Sequence, residues 1–176
     1  MISFLSFGLR KYIWWLLAVS LNLFATTLQA TETEPVPSTF VPSQDESPIL
    51  MMVDAQAERR FISRAEIESL PLHATTVQHF KGPQGSFAGV WLKDLLSAQD
   101  VDETATLRFI AHDDYSAFIN PEERDYLLVT RLDGEPLTLT DFGPTMLIVP
   151  AEAEFVEAGT ANMTHWVWSI RDIIVQ

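Results

Sequence analysis

Cysteine is absent from all 176 residues. That excludes disulfides, thiol redox chemistry and thiolate ligation of a metal, because the thiolate is the nucleophile and the soft anionic ligand in each. Basic residues are scarce as well: 11 Lys and Arg stand against 24 Asp and Glu, for a formal net charge of -13. A field of that sign repels nucleic acid, anionic lipid and small anions, and it draws cations or basic protein surfaces inward. The sequence also lacks a Gly-rich phosphate loop, a nucleophile elbow, a Ser-His-Asp spacing and any internal repeat.

What is present suffices for one domain with a substantial core, since 47% of the chain is hydrophobic and 11% aromatic. Arg10 and Lys11 precede the apolar run 12–25, so residues 1–30 read as a signal peptide with cleavage after Ala30. An uncleaved membrane anchor is the alternative, but Asn22 and the threonines interrupt the run. Export places the rest outside the cytoplasm, in the periplasm, with no transmembrane segment once the signal is removed. Residues 31–48 carry Pro35, Pro37, Pro42 and Pro48 among acids and hydroxyls, the composition of an extended linker in which only Phe40 and Val41 could find a groove. The folded domain is expected over 49–176.

Within it, 49–53 and 58–61 read as strands. Ser63 with Glu66 three residues on forms a capping box, Ile62 and Ile67 a hydrophobic staple, and Pro71 ends that helix. Residues 75–80 read as a strand, 82–85 as a loop and 90–98 as a helix with Leu92, Leu95 and Leu96 on one face. Strands are expected at 106–111 and 115–119 around an Asp113-Asp114 turn, and a short helix at Asn120-Pro121-Glu122-Glu123. Residues 126–132 and 136–139 read as strands joined by an Asp133-Gly134 hairpin turn. Two more strands follow at 146–149 and 166–175, the last with a bulge near Asp172. The long connection 151–162, with Glu152, Glu154 and Glu157, is a candidate site wall. Many short strands with a few short helices make an α+β domain with mixed or antiparallel sheets.

Several fragments, in order, carry a resemblance. They are Ser63-Arg64-Ala65-Glu66 with Leu70-Pro71, Phe87-Ala88-Gly89-Val90 with Leu92-Lys93-Asp94-Leu95-Leu96, and Asp114-Tyr115-Ser116. Asp133-Gly134-Glu135-Pro136-Leu137, Gly143-Pro144 with Leu147-Ile148-Val149-Pro150, and His165-Trp166 with Ile170 complete the set. From Phe61 to Val175 the chain resembles the sulfite oxidase fold, the molybdopterin-binding domain of sulfite oxidase-type enzymes. The resemblance implies a metal-binding cysteine near the end of the 75–80 strand, where this chain has His79. It also implies an arginine before Pro150, where Met146 stands, and a lysine before Trp166, where His165 stands. Each departure removes a thiolate or a cation that an oxo-metal centre and its phosphate-bearing pterin would need. The chain is closer to the small exported proteins of this fold that lack the cysteine, for which the family implies a fold and no reaction.

The candidate ligand-binding residues are His79, Asp113, Asp114, Tyr115, Arg131, His165 and Trp166. His79 and His165 map near the inherited pocket, yet no histidine pair has helical metal-ligand spacing. Asp113-Asp114-Tyr115 could receive a cationic or hydroxylated ligand, although Asx residues equally favour turns and Tyr115 would then be core. Arg131 could anchor an anion or pair with a neighbouring acid. Trp91, Trp166 and Trp168 would line a groove or fill the core. The expected function is a periplasmic, non-catalytic module that binds a small-molecule ligand, a membrane sensor or another partner protein, with no cofactor. A molybdopterin-dependent oxidoreductase with a non-cysteine ligand is the alternative.

Overall fold

A computed structural model describes residues 34–78 and 82–176. The expected signal peptide and His79 lie outside the described residues. Two sheets organise the chain. The first has the order β1 (Val36–Pro37), β4 (Leu72–Gln78), β5 (Gln84–Trp91), β8 (Leu127–Leu132), β10 (Met146–Ile148), with β9 (Glu135–Pro136) also on β8, all antiparallel. The second runs β3 (Arg59–Ser63), β2 (Pro48–Val53), β11 (Ile170–Val175), β6 (Leu107–Ala111), β7 (Ser116–Ile119), antiparallel except for the β11–β2 pair. The protein is thus α+β with two mostly antiparallel sheets and few short helices.

Burial follows sheet position. β6 alternates fully and half-buried residues, as a strand with one face on the core should, while the first four residues of β8 are all buried. One hydrophobic cluster draws on both sheets, with Val90, Leu128 and Ile148 from the first and Leu50, Phe109 and Ile173 from the second.

The helix α1 (Arg64–Glu68) starts as its capping residue dictates, with the Ser63 hydroxyl accepting the Glu66 N–H at 3.1 Å and Ile62 and Ile67 both fully buried. The helix α2 (Leu92–Ala98) buries Leu92, Leu95 and Leu96, and α3 (Ala153–Glu157) buries Ala153 and Val156. Asp133 and Gly134 take φ of 51° and 85°, the left-handed pair that a two-residue hairpin turn requires. The register of β11 shifts between Ile170 and Asp172, the bulge the sequence implies. No helix among the described residues is long and apolar enough to cross a membrane.

Three expectations are corrected. Residues 84–91, of which 84–85 read as loop, 90–91 as helix start and 86–89 carry no reading, form the strand β5 between β4 and β8. Gly85, Ser86, Ala88 and Gly89 hide it, because small residues show no apolar alternation. At Gly89 the smallness is required: a Cβ there would lie 2.0 Å from the Leu128 carbonyl oxygen, at the irregularity where β5 meets β8. Residues 120–123 make a turn and not a helix. Asn120 bonds through its side chain to the Glu122 N–H at 3.1 Å, and through its carbonyl to the Glu123 N–H at 3.1 Å.

The third correction concerns the proline-rich stretch before residue 49. It is extended, yet it belongs to the domain: Val36–Pro37 pairs with β4, the Ser38 N–H bonds the Leu72 carbonyl at 2.8 Å, and Phe40 packs on Gly134 and under Arg131. Prolines are tolerated here because the stretch lies at a sheet edge, where no second partner needs the missing N–H.

Candidate functional site

The residues singled out by sequence do not converge. Asp113, Asp114 and Tyr115 form the β6–β7 turn, where Asp113 Oδ1 accepts the Tyr115 N–H at 3.1 Å and Asp114, at φ 65°, pairs with Arg171 at 3.4 Å. Tyr115 is exposed and not core. Trp166 is buried in the core cluster. His165 ends a 3-10 turn (Met163–His165) set by the Asn162 side chain, which accepts the Thr164 N–H at 3.1 Å.

Arg131 commits four of its five N–H donors within the fold. Its Nε and Nη2 grip the Glu68 carboxylate at 3.0 and 2.5 Å, Nη1 reaches the Gly134 carbonyl at 3.2 Å, and Nη2 reaches the Val41 carbonyl at 3.1 Å. Glu68, fully buried at the end of α1, also accepts the Thr130 hydroxyl at 2.8 Å and the Ser43 N–H at 2.7 Å. Burial pushes its carboxyl pKa up, but the hydrogen bonds from Arg131, Thr130 and Ser43 and the Arg131 charge outweigh burial, and the net shift is downward. Arg64 completes the cluster on the Thr130 and Leu137 carbonyls, and desolvation lowers its pKa. This network ties α1, β8 and the proline-rich stretch together, which makes it structural.

Of the hollows on the surface, two bear on binding; a third, about 430 Å³, adjoins the cleft described below and shares Trp91, Lys93 and Asp125 with it. The larger, about 640 Å³, lies on the second sheet between Ile49, Met51, Phe61, His112, Leu139 and Pro144. None of the residues lining it has a buried polar atom without a partner, so its apolar floor asks for nothing specific. The smaller, about 300 Å³, sits where β5 turns into α2 and the 121–126 stretch enters β8. It is at the small end of the range that ligand pockets span.

Tyr126 forms part of the wall of this smaller cleft. Its carbonyl accepts the Leu92 N–H at 2.9 Å, which fixes the phenol at the corner of the sheet. The residue is 2% exposed, and its hydroxyl is buried without a hydrogen-bond partner. Burial, reinforced by the nearby Glu123 and Glu152 charges against the pull of Arg124, raises its pKa to about 12. The phenol therefore stays neutral, with its donor and its acceptor sites both open. The His165 ring stands edge-on to it at 6.3 Å between centroids, with Nδ1 buried and also without a partner.

The charges around the cleft are acidic. Glu103, Glu122, Glu123 and Asp125 line it with Trp91. The two cations on the wall are already paired, Lys93 with Asp125 at 3.6 Å and Arg124 with Glu152 at 3.0 Å. A phosphate-bearing molybdopterin needs uncommitted guanidinium or ammonium donors. The residues that line this cleft do not supply them.

Tyr126, Arg124 and Glu152 as a unit escape sequence reasoning, since Tyr126 reads only as a strand start. The acidic run ahead of it was the available signal. No group of three or more His, Asp or Glu poised to hold a metal occurs among the described residues. No protein family matches the chain, and no curated protein matches it.

Proposed function

We propose that the protein is an exported, periplasmic, non-catalytic ligand-binding module on a degenerate sulfite oxidase-type fold, and that the cleft beside Tyr126 takes the ligand. One observation carries this reading: a phenol that is 2% exposed, on the wall of a cleft, whose hydroxyl has no partner. A buried polar group left unpaired costs about 1–3 kcal/mol, a cost that a ligand reaching the hydroxyl would remove. The family reading rests on the sequence fragments alone, among them Leu70-Pro71, Asp133-Gly134 and His165-Trp166.

The absence of cysteine and the commitment of the cationic wall residues to carboxylates support binding over oxo-metal chemistry. The test is a thermal-shift titration of the exported chain with panels of small amines, alcohols and carboxylates. A binder at this cleft raises the wild-type Tm and loses its effect in Tyr126→Phe. Stabilisation that survives Tyr126→Phe unchanged would place the ligand elsewhere.

A further inference from the structure

We infer that the cleft beside Tyr126 takes an organic cation bearing N–H donors, an alkylammonium or amidinium group carried on an aromatic or apolar body. This rests on the ligand-binding reading and adds the chemistry of the ligand. Tyr126 Oη, on the cleft wall, is buried without a partner, and so are two atoms behind that wall: His165 Nδ1, beside the Tyr126 ring, and Oε2 of Glu152, the residue that pairs with Arg124. Glu152 gives its Oε1 to Arg124, and its other oxygen can only accept while the carboxylate is ionised. The missing partner there is a donor.

Charge selects the same class. An anion entering would face the carboxylates of Glu103, Glu122 and Glu123, while Lys93 and Arg124 are offset by Asp125 and Glu152. A neutral alcohol could satisfy Tyr126 but would draw nothing from that field. Trp91 offers a ring that already takes a cation, with Lys93 Nζ 5.8 Å from its centroid. The formal net charge of -13 concentrates cations at the surface before docking.

Three probes of one shape separate the possibilities: benzylammonium, benzyl alcohol and benzoate, titrated into the full exported chain at physiological ionic strength and followed by NMR. Benzylammonium is expected to move the Trp91 indole and Tyr126 ring signals and to bind about tenfold tighter than benzyl alcohol, with benzoate silent. Glu123→Gln, an exposed site that leaves the core untouched, should weaken benzylammonium several-fold and leave benzyl alcohol unchanged. Binding of benzyl alcohol or benzoate at these signals as tightly as benzylammonium would overturn the cation assignment and leave the cleft standing. Benzylammonium shifts scattered over the acidic surface without Trp91 and Tyr126 would overturn it too. Silence from all three probes would overturn both the assignment and the ligand-binding reading beneath it.

Discussion

Glu68 and Arg131, 63 residues apart in sequence, meet in a two-pronged ion pair with N···O distances of 3.0 and 2.5 Å, and Glu68 is fully buried. Removing one partner leaves a buried charge uncompensated, which costs about 3–5 kcal/mol. Arg131→Ala is therefore expected to lower the unfolding free energy by that amount, read as a lower urea midpoint at unchanged slope. It should also expose the stretch around Val41 to proteolysis, because Arg131 Nη2 bonds the Val41 carbonyl.

The same carboxylate makes the fold acid-sensitive. Its folded-state pKa lies below the ordinary value of 4.5, so its contribution is fully present above that pH and is lost as the pH falls through the lowered folded value. Urea unfolding from pH 6 down to pH 2 should show this decline. Glu68→Gln, although less stable at neutral pH, should show a shallower slope.

Tyr126 titrates in the opposite direction. Because folding raises its pKa from 10.0 to about 12, the folded state holds its proton longer than the unfolded chain, and stability falls as the pH rises across that interval. Tyr126→Phe removes an unpaired buried hydroxyl. The unliganded variant is thus expected to be as stable as wild type or more stable by about 1 kcal/mol, with a flatter alkaline limb in denaturant titrations. A loss of stability would mean that the hydroxyl is satisfied within the fold.

Gly89 is the tightest point between β5 and β8. Since a Cβ there would sit 2.0 Å from a backbone oxygen that belongs to the sheet, Gly89→Ala cannot be absorbed by a side-chain rotation. It should cost about 3 kcal/mol or more, and hydrogen exchange should report loosening along β5 and β8 first.

Most elements are legible wherever one residue type has one physical use. Ser63 can only cap, although the Glu66 carboxylate turns to Arg60 and does not close the box, Asp133-Gly134 can only turn, and the phase slip at Asp172 only bulge. β5 is not legible, because its small residues answer to the close approach of β8, a tertiary fact absent from the local pattern. Asn120-Pro121-Glu122-Glu123 has helix-start chemistry, but the same Asn bond closes an Asx turn when the chain must enter β8 at once. The site was harder still. Arg131 invited an anion because its partner Glu68 is distant in sequence, and Tyr126, Glu152 and His165 come together only through β8, the turn after Pro150 and the turn before Trp166. Proline-rich composition suggested a free spacer where edge pairing holds the segment in place.

The central proposal is that this fold binds a ligand without holding an oxo-metal centre. The direct measurement is the molybdenum and pterin content of the chain purified from its native host, by elemental analysis and by fluorescence after oxidation. The account predicts molybdenum and pterin far below one equivalent per chain. One equivalent of each, retained through purification, would contradict it.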